Sequence, residues 1–201
     1  MTNQISFFRP EIPEIWIFVP DAYKYHLLVG LILFSLGMAI VQIQKGEALF
    51  HHQKVPLGIV SFELAGEESK AREIADFWAS RKLTDKAKKS IYWDFGFLLA
   101  YGLCLSFICF LASTSWPSPS LGFCLGTVLS LTFILAGIFD AVENLAMLRM
   151  ISAGQDSMGI FPLLARWCAI PKFGLIIMGL AYILVSWVYW FFKHCSCSPL
   201  Q

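Results

Sequence analysis

Residues 121–150 read LGFCLGTVLSLTFILAGIFDAVENLAMLRM, and this stretch decides the fold class. Its first part, Leu121 to Phe139, is uncharged. That matches the roughly 20 apolar residues a helix needs to cross about 30 Å of hydrocarbon. Asp140, Glu143 and Asn144 follow at helical spacing, so one long helix is expected to carry on past Phe139 and out through the headgroups. Within the apolar part, Gly122, Gly126, Ser130 and Gly137 fall inside an arc of about 80° on one helix face. Small residues let another helix come close, and close contact is what drives helix packing in lipid. The expected use of this stripe is packing inside a bundle; pairing of two copies through Gly122, Gly126 and Ser130 is the other use.

Working outward, three further windows have the same character: Tyr25 to Ile43, Ile91 to Ala112 and Phe173 to Phe192. The composition agrees, with 57% hydrophobic residues, 14% charged residues and a mean hydropathy of +0.65 across 201 residues. Those values exclude an ordinary soluble domain. The fold class is therefore an all-α integral membrane protein, a four-helix transmembrane bundle. A net charge of +1 leaves no footprint for nucleic acid. Residues 1–23 hold Glu11, Glu14 and three prolines where a signal peptide needs an unbroken apolar core, so the first span is expected to be retained.

The expected organisation is an external interfacial segment (1–21), span one (22–45), an insertion (46–90), span two (91–113), span three with its extension (120–150), an interfacial helix (161–170), span four (171–193) and a tail (194–201). Within the insertion, VPLGIVSFELAG reads as a turn and a short β-like run. EESKAREIADFWASRK reads as an amphipathic helix with Ala71, Ile74, Ala75 and Trp78 on one face. Asp21 and Thr84 are expected to cap the first two spans. Pro171 suits the first turn of the last one. Spans two and three, joined by STSWPSPS, must be antiparallel neighbours.

Lysine and arginine counts orient the chain. The segment between the apolar windows ending at Ile43 and starting at Ile91 holds nine, from Lys45 to Lys89, and Arg149, Arg166 and Lys172 add three on the same face, against Arg9, Lys24 and Lys193 on the other. Twelve against three puts the insertion in the cytoplasm and both termini outside. Cys195 and Cys197 in the tail look accessible, while Cys104, Cys109, Cys124 and Cys168 sit in or beside spans as small hydrophobes. Neither acylation nor a disulfide is assigned to the tail.

Polar groups from all four spans converge on one cytoplasmic-leaflet layer: Gln42 and Gln44, Asp94 with Tyr101 two turns deeper, Asp140, Glu143 and Asn144, and Arg166 and Lys172. An ionisable group at the hydrocarbon boundary is costly unless paired or hydrated, which makes such residues functional candidates. Asp94, Asp140 and Glu143 are the acid/base candidates, with Asn144, Tyr101, Lys172, Arg166 and Glu63 as ligand-binding candidates. The structural alternative is that Asp94 and Glu143 pair with Lys172 or Arg166 while Asn144 bonds backbone. His51 and His52 lie near this layer and would suit a divalent metal alongside the carboxylates, although their spacing matches no established metal motif. No cofactor is assigned: there is no Gly-rich phosphate loop, HExxH or GxSxG.

VPLGIVSFELAG, the EESKAREIADFW helix, YWDFGFLLAYG and GIFDAVENLAML together resemble an uncharacterised group of small four-helix integral membrane proteins found mainly in bacteria. The resemblance covers roughly residues 50–150. It implies a multi-pass protein of the bacterial inner membrane and carries over Glu63, Asp94, Asp140, Glu143 and Asn144. It names no reaction.

Two functions suit this pattern. One is a site entered from the cytoplasmic leaflet that binds, or acts on, a lipid or other amphipathic molecule. The other is a non-enzymatic adaptor whose insertion docks a protein partner, or anionic lipid through the basic segment 81–89. A channel or proton-coupled carrier is weaker, because no charged residue sits at mid-bilayer.

Overall fold

The computed structural model describes residues 16–49, 55–154 and 156–195, and among these every regular element is helical. Four helices are long and apolar enough to cross a membrane: α1 (Asp21–Gly46), α4 (Thr84–Ser113), α5 (Leu121–Ser152) and α6 (Phe161–Cys195). Between α1 and α4 lie a 3-10 turn (Glu47–Leu49) and two shorter helices, α2 (Ile59–Glu63) and α3 (Glu68–Ser80). At 1.5 Å per residue, the 30 to 35 residues of α4, α5 and α6 reach about 45 to 52 Å, well beyond the hydrocarbon. Each is therefore longer than a single crossing requires.

α5 is the centre of the bundle, packed between α4 and α6, and α1 lies against α4. The distribution of side chains is inverted relative to a soluble protein. Val29, Leu33, Leu36 and Ile40 of α1, and Ile177, Leu180, Leu184 and Trp187 of α6, are exposed, while Ser106, Thr127, Ser130 and Ser186 are buried. So much outward apolar surface on parallel rods would make a soluble chain aggregate. Here it is the lipid-facing coat expected of a multi-pass protein.

The small-residue stripe is taken up inside the chain. A Cβ on Gly126 would strike Tyr182 and Ser113, and one on Gly122 would strike Trp116. Ser130 faces Ser106, whose hydroxyl donates to the Ser130 carbonyl at 2.7 Å. On the side away from the insertion, the Trp16 indole donates to Ser106 and that of Trp116 to Ser186, each at 2.9 Å, and Tyr182 donates to the Gly122 carbonyl.

The insertion departs from expectation at one element. The segment 59–63, expected to be β-like, is the short helix α2, which follows a turn at Gly58 with φ +58°. A segment as short as IVSFE fits either secondary structure by pattern alone. Tertiary packing decides it here, by burying Phe62 edge-on to Trp78 with ring centroids 5.0 Å apart. α3 does bury Ala71, Ile74 and Trp78, with Ala75 against the same core. That core continues into Met147 and Met150 of α5 and Ala165 of α6, so the insertion is a lid on the bundle.

Three finer boundaries also differ. The segments 161–170 and 171–193 form one helix, α6, with Pro171 in its interior where its missing N–H breaks one helical bond. Asp21 is the first residue of α1, after Pro20 at the cap position. α4 is capped at Leu83 with no side-chain cap, so Thr84 does not play that role.

Candidate functional site

The lid brings Glu63 of α2 to the layer of polar groups on the long helices. Lys172 is its hub: the ammonium lies 2.9 Å from Glu143, 3.1 Å from Asp140 and 3.7 Å from Glu63, with all four side chains nearly inaccessible. Lys172 also sits over the Phe173 ring, 4.8 Å from its centroid. The Tyr101 hydroxyl donates to the second oxygen of Asp140 at 2.7 Å. Helix geometry explains the convergence. Asp140 and Glu143 are three residues apart on α5 and so share the face turned to α6.

A second group stands beside the first. Asp94 accepts from the Gln42 amide at 3.0 Å and from the Asn144 amide at 2.8 Å, which ties α1, α4 and α5 together. The pairing expected between Asp94 and Lys172 is thus replaced by amide donors. Asn144 bonds this side chain, not backbone. Arg166 is exposed and lies outside the group, draped over Gly66. His51 and His52 lie outside the described residues. Among the described residues, no group of three or more His, Cys, Asp or Glu side chains is arranged to hold a metal ion.

Glu63 lies outside the long helices. Burial pushes its carboxyl above the usual range, against the opposing pull of the Lys172 ammonium. Five acceptor or hydroxyl atoms of this region are buried without a hydrogen-bond partner: Gln42 Oε1, Glu63 Oε2, Ser90 Oγ, Glu143 Oε2 and Asn144 Oδ1. Glu63 Oε2 is also the atom 3.7 Å from Lys172. Unmet buried polar atoms cost about 1–3 kcal/mol each, so such a concentration needs a reason.

A cavity of about 210 Å³ supplies the context. Its walls take Gln42, Ile43 and Gly46 from α1, Ile59, Val60 and Glu63 from α2, Ser90, Asp94, Phe97 and Tyr101 from α4, Asp140 from α5, and Lys172, Phe173 and Ile176 from α6. Comparison with protein-family models, with curated proteins and with solved structures gives no significant match to this chain. The reading of the site therefore rests on its own geometry.

The lining residues that the sequence-derived site set lacks include Ser90 and Phe173. Ser90 stands one helical turn before Asp94 on the same face, a spacing that was readable. Phe173 follows Lys172 directly and gave no signal of its own. Among the carboxylates, Asp140 and Glu143 are held by the Lys172 ammonium, whereas Asp94 accepts only from neutral amides. Asp94 is therefore the carboxylate best placed to meet a ligand.

Proposed function

We propose that this chain is a multi-pass membrane protein that takes the polar head of an amphipathic molecule into the cavity beside Asp94. The head enters from the leaflet on the side of the insertion. The observation that carries this reading is the position of the cavity. It is lined by both α1 and α6, which scarcely pack against each other, with Ile43 contributed by the first and Ile176 by the second. A gap between two lipid-facing helices is a lateral door. At about 210 Å³ the cavity is smaller than the roughly 300–1,000 Å³ of sites that enclose drug-sized ligands. It suits a head group whose tail stays in the bilayer.

The alternative, an adaptor that docks a partner through the insertion, is less well supported. The apolar face of α3 is used up inside the lid, where Ala71, Ile74 and Trp78 are buried. What α3 turns outward is a mixed polar face.

Native mass spectrometry of gently extracted protein tests the reading. The wild type is expected to retain an amphipathic adduct that Ile43→Trp loses. Ile43 is 68% exposed at the edge of the cavity, so a larger side chain there obstructs the door without disturbing the core. An adduct that survives Ile43→Trp, or none in either protein, would sink the proposal.

A further inference from the structure

The chemistry of the cavity says more about its ligand, and this step rests on the reading just given. Four carboxyl groups, Glu63, Asp94, Asp140 and Glu143, gather in this layer with one ammonium, that of Lys172, which lies within 3.7 Å of Glu63, Asp140 and Glu143. Lys172 is already engaged by three of them and is the sole cation among the described residues that line the cavity. An anionic head group would find no free positive partner there and would meet the carboxyl oxygens of Asp94 and Asp140. The hydrogen-bonding inventory points the same way. Gln42 Oε1 is a buried acceptor without a donor, Glu63 Oε2 has only the long 3.7 Å approach of Lys172, and the Ser90 hydroxyl is fully buried with no partner. All three residues line the cavity. Asp94, between Gln42 and Ser90, has one bond on each oxygen and room for more.

We infer that the ligand is an amphiphile whose head is a primary ammonium. Such a head carries three N–H donors and one positive charge. The donors match the open positions on the wall formed by α1 and α4: Gln42 Oε1, the Asp94 carboxylate and the Ser90 hydroxyl. The charge is met by the Asp94 carboxyl, whose existing bonds come only from neutral amides. Phe97, Phe173 and Ile176 supply the apolar lining through which the first methylenes of the tail would leave.

The test is titration of the purified full chain, in neutral maltoside micelles at pH 7, with four dodecyl amphiphiles: dodecylamine, dodecyltrimethylammonium, dodecanol and dodecanoate. Dodecylamine is expected to bind saturably and at least tenfold more tightly than the other three. Asp94→Asn and Ser90→Ala should each weaken it several-fold, and Ile43→Trp should abolish it. Ser90→Ala removes one hydroxyl and tests the wall even if Asp94→Asn folds poorly. Should dodecanol, dodecanoate or the trimethylammonium bind as tightly as the amine, and Ile43→Trp block them all, the ammonium assignment fails while the cavity remains a site for amphiphiles. If no dodecyl compound binds saturably, or binding ignores Ile43→Trp, both readings fail.

Discussion

Lys172 on α6 holds its ammonium 2.9 Å from the Glu143 carboxylate on α5, and each side chain is almost wholly shielded from its surroundings. Asp140 and Glu63 complete the shell around the same nitrogen. Buried ion pairs add little net stability over an apolar replacement, because desolvation opposes the Coulomb gain. Removing one partner is different, since the remaining charges are left unmet.

Lys172→Met should therefore destabilise the protein by about 3–5 kcal/mol, seen as a lower midpoint of thermal unfolding in detergent. Adding Glu143→Gln to that variant removes one stranded carboxylate and should recover part of the loss. A double variant no more stable than Lys172→Met alone would mean that charge does not hold α5, α6 and the lid together.

At the rim of the lid, Glu68 accepts from Arg72 at 2.7 Å, from the Met158 N–H at 3.0 Å and from the Ser157 hydroxyl at 3.0 Å. Arg72 also donates to the carbonyls of Gly154 and Asp156. These bonds, that to Arg72 foremost, hold the Glu68 carboxyl down from its ordinary 4.5 to about 2. A depressed pKa means that the docked lid is favoured by ionised Glu68 above about pH 4.5 and loses that support as the pH falls towards 2. Hydrogen exchange of α3 and of residues 156–160, corrected for intrinsic rates, should rise across that window in the wild type. In Glu68→Gln it should be fast already at neutral pH and change little on acidification.

Much of this arrangement is legible in the sequence because lipid imposes strict rules. The uncharged run up to Phe139, followed by Asp140, Glu143 and Asn144 at helical spacing, defines α5 and the face that meets Lys172. The path of the insertion is less legible. Nothing local in IVSFE separates a five-residue helix from a strand, and the choice depends on Phe62 reaching Trp78. The partners of Asp94 were hidden for a related reason. Charge pattern suggests a lysine or arginine, but Arg166 is drawn outward over Gly66 and Lys172 is held by other carboxylates. That leaves Asp94 to the amides of Gln42 and Asn144.

Gly66 joins α2 to α3 with φ +71°, and a Cβ there would collide with the Arg166 side chain. Gly66→Ala should cost about 1–2 kcal/mol from backbone strain alone, with a further penalty as Arg166 is displaced. Gly30 and Gly37 of α1 have open space around them, so Gly30→Ala and Gly37→Ala should be neutral or stabilise the helix by about 0.5–1 kcal/mol. Unfolding midpoints for the three variants decide this. Equal effects would mean that the turn at Gly66 carries no special constraint.

The orientation inferred from twelve basic residues on the insertion side against three on the other is a separate claim from the fold, and labelling checks it directly. Cys195, at the end of α6, is exposed. A membrane-impermeant maleimide should label it on intact cells. In a Cys195→Ser, Cys197→Ser background, Ser69→Cys on the exposed side of α3 should react only after the membrane is permeabilised. The two sites lie at opposite ends of the bundle, so the pair of measurements must give opposite answers whichever way the protein inserts. If Ser69→Cys is the one labelled from outside, the lid and its cavity face the exterior, and the ligand must enter from the outer leaflet.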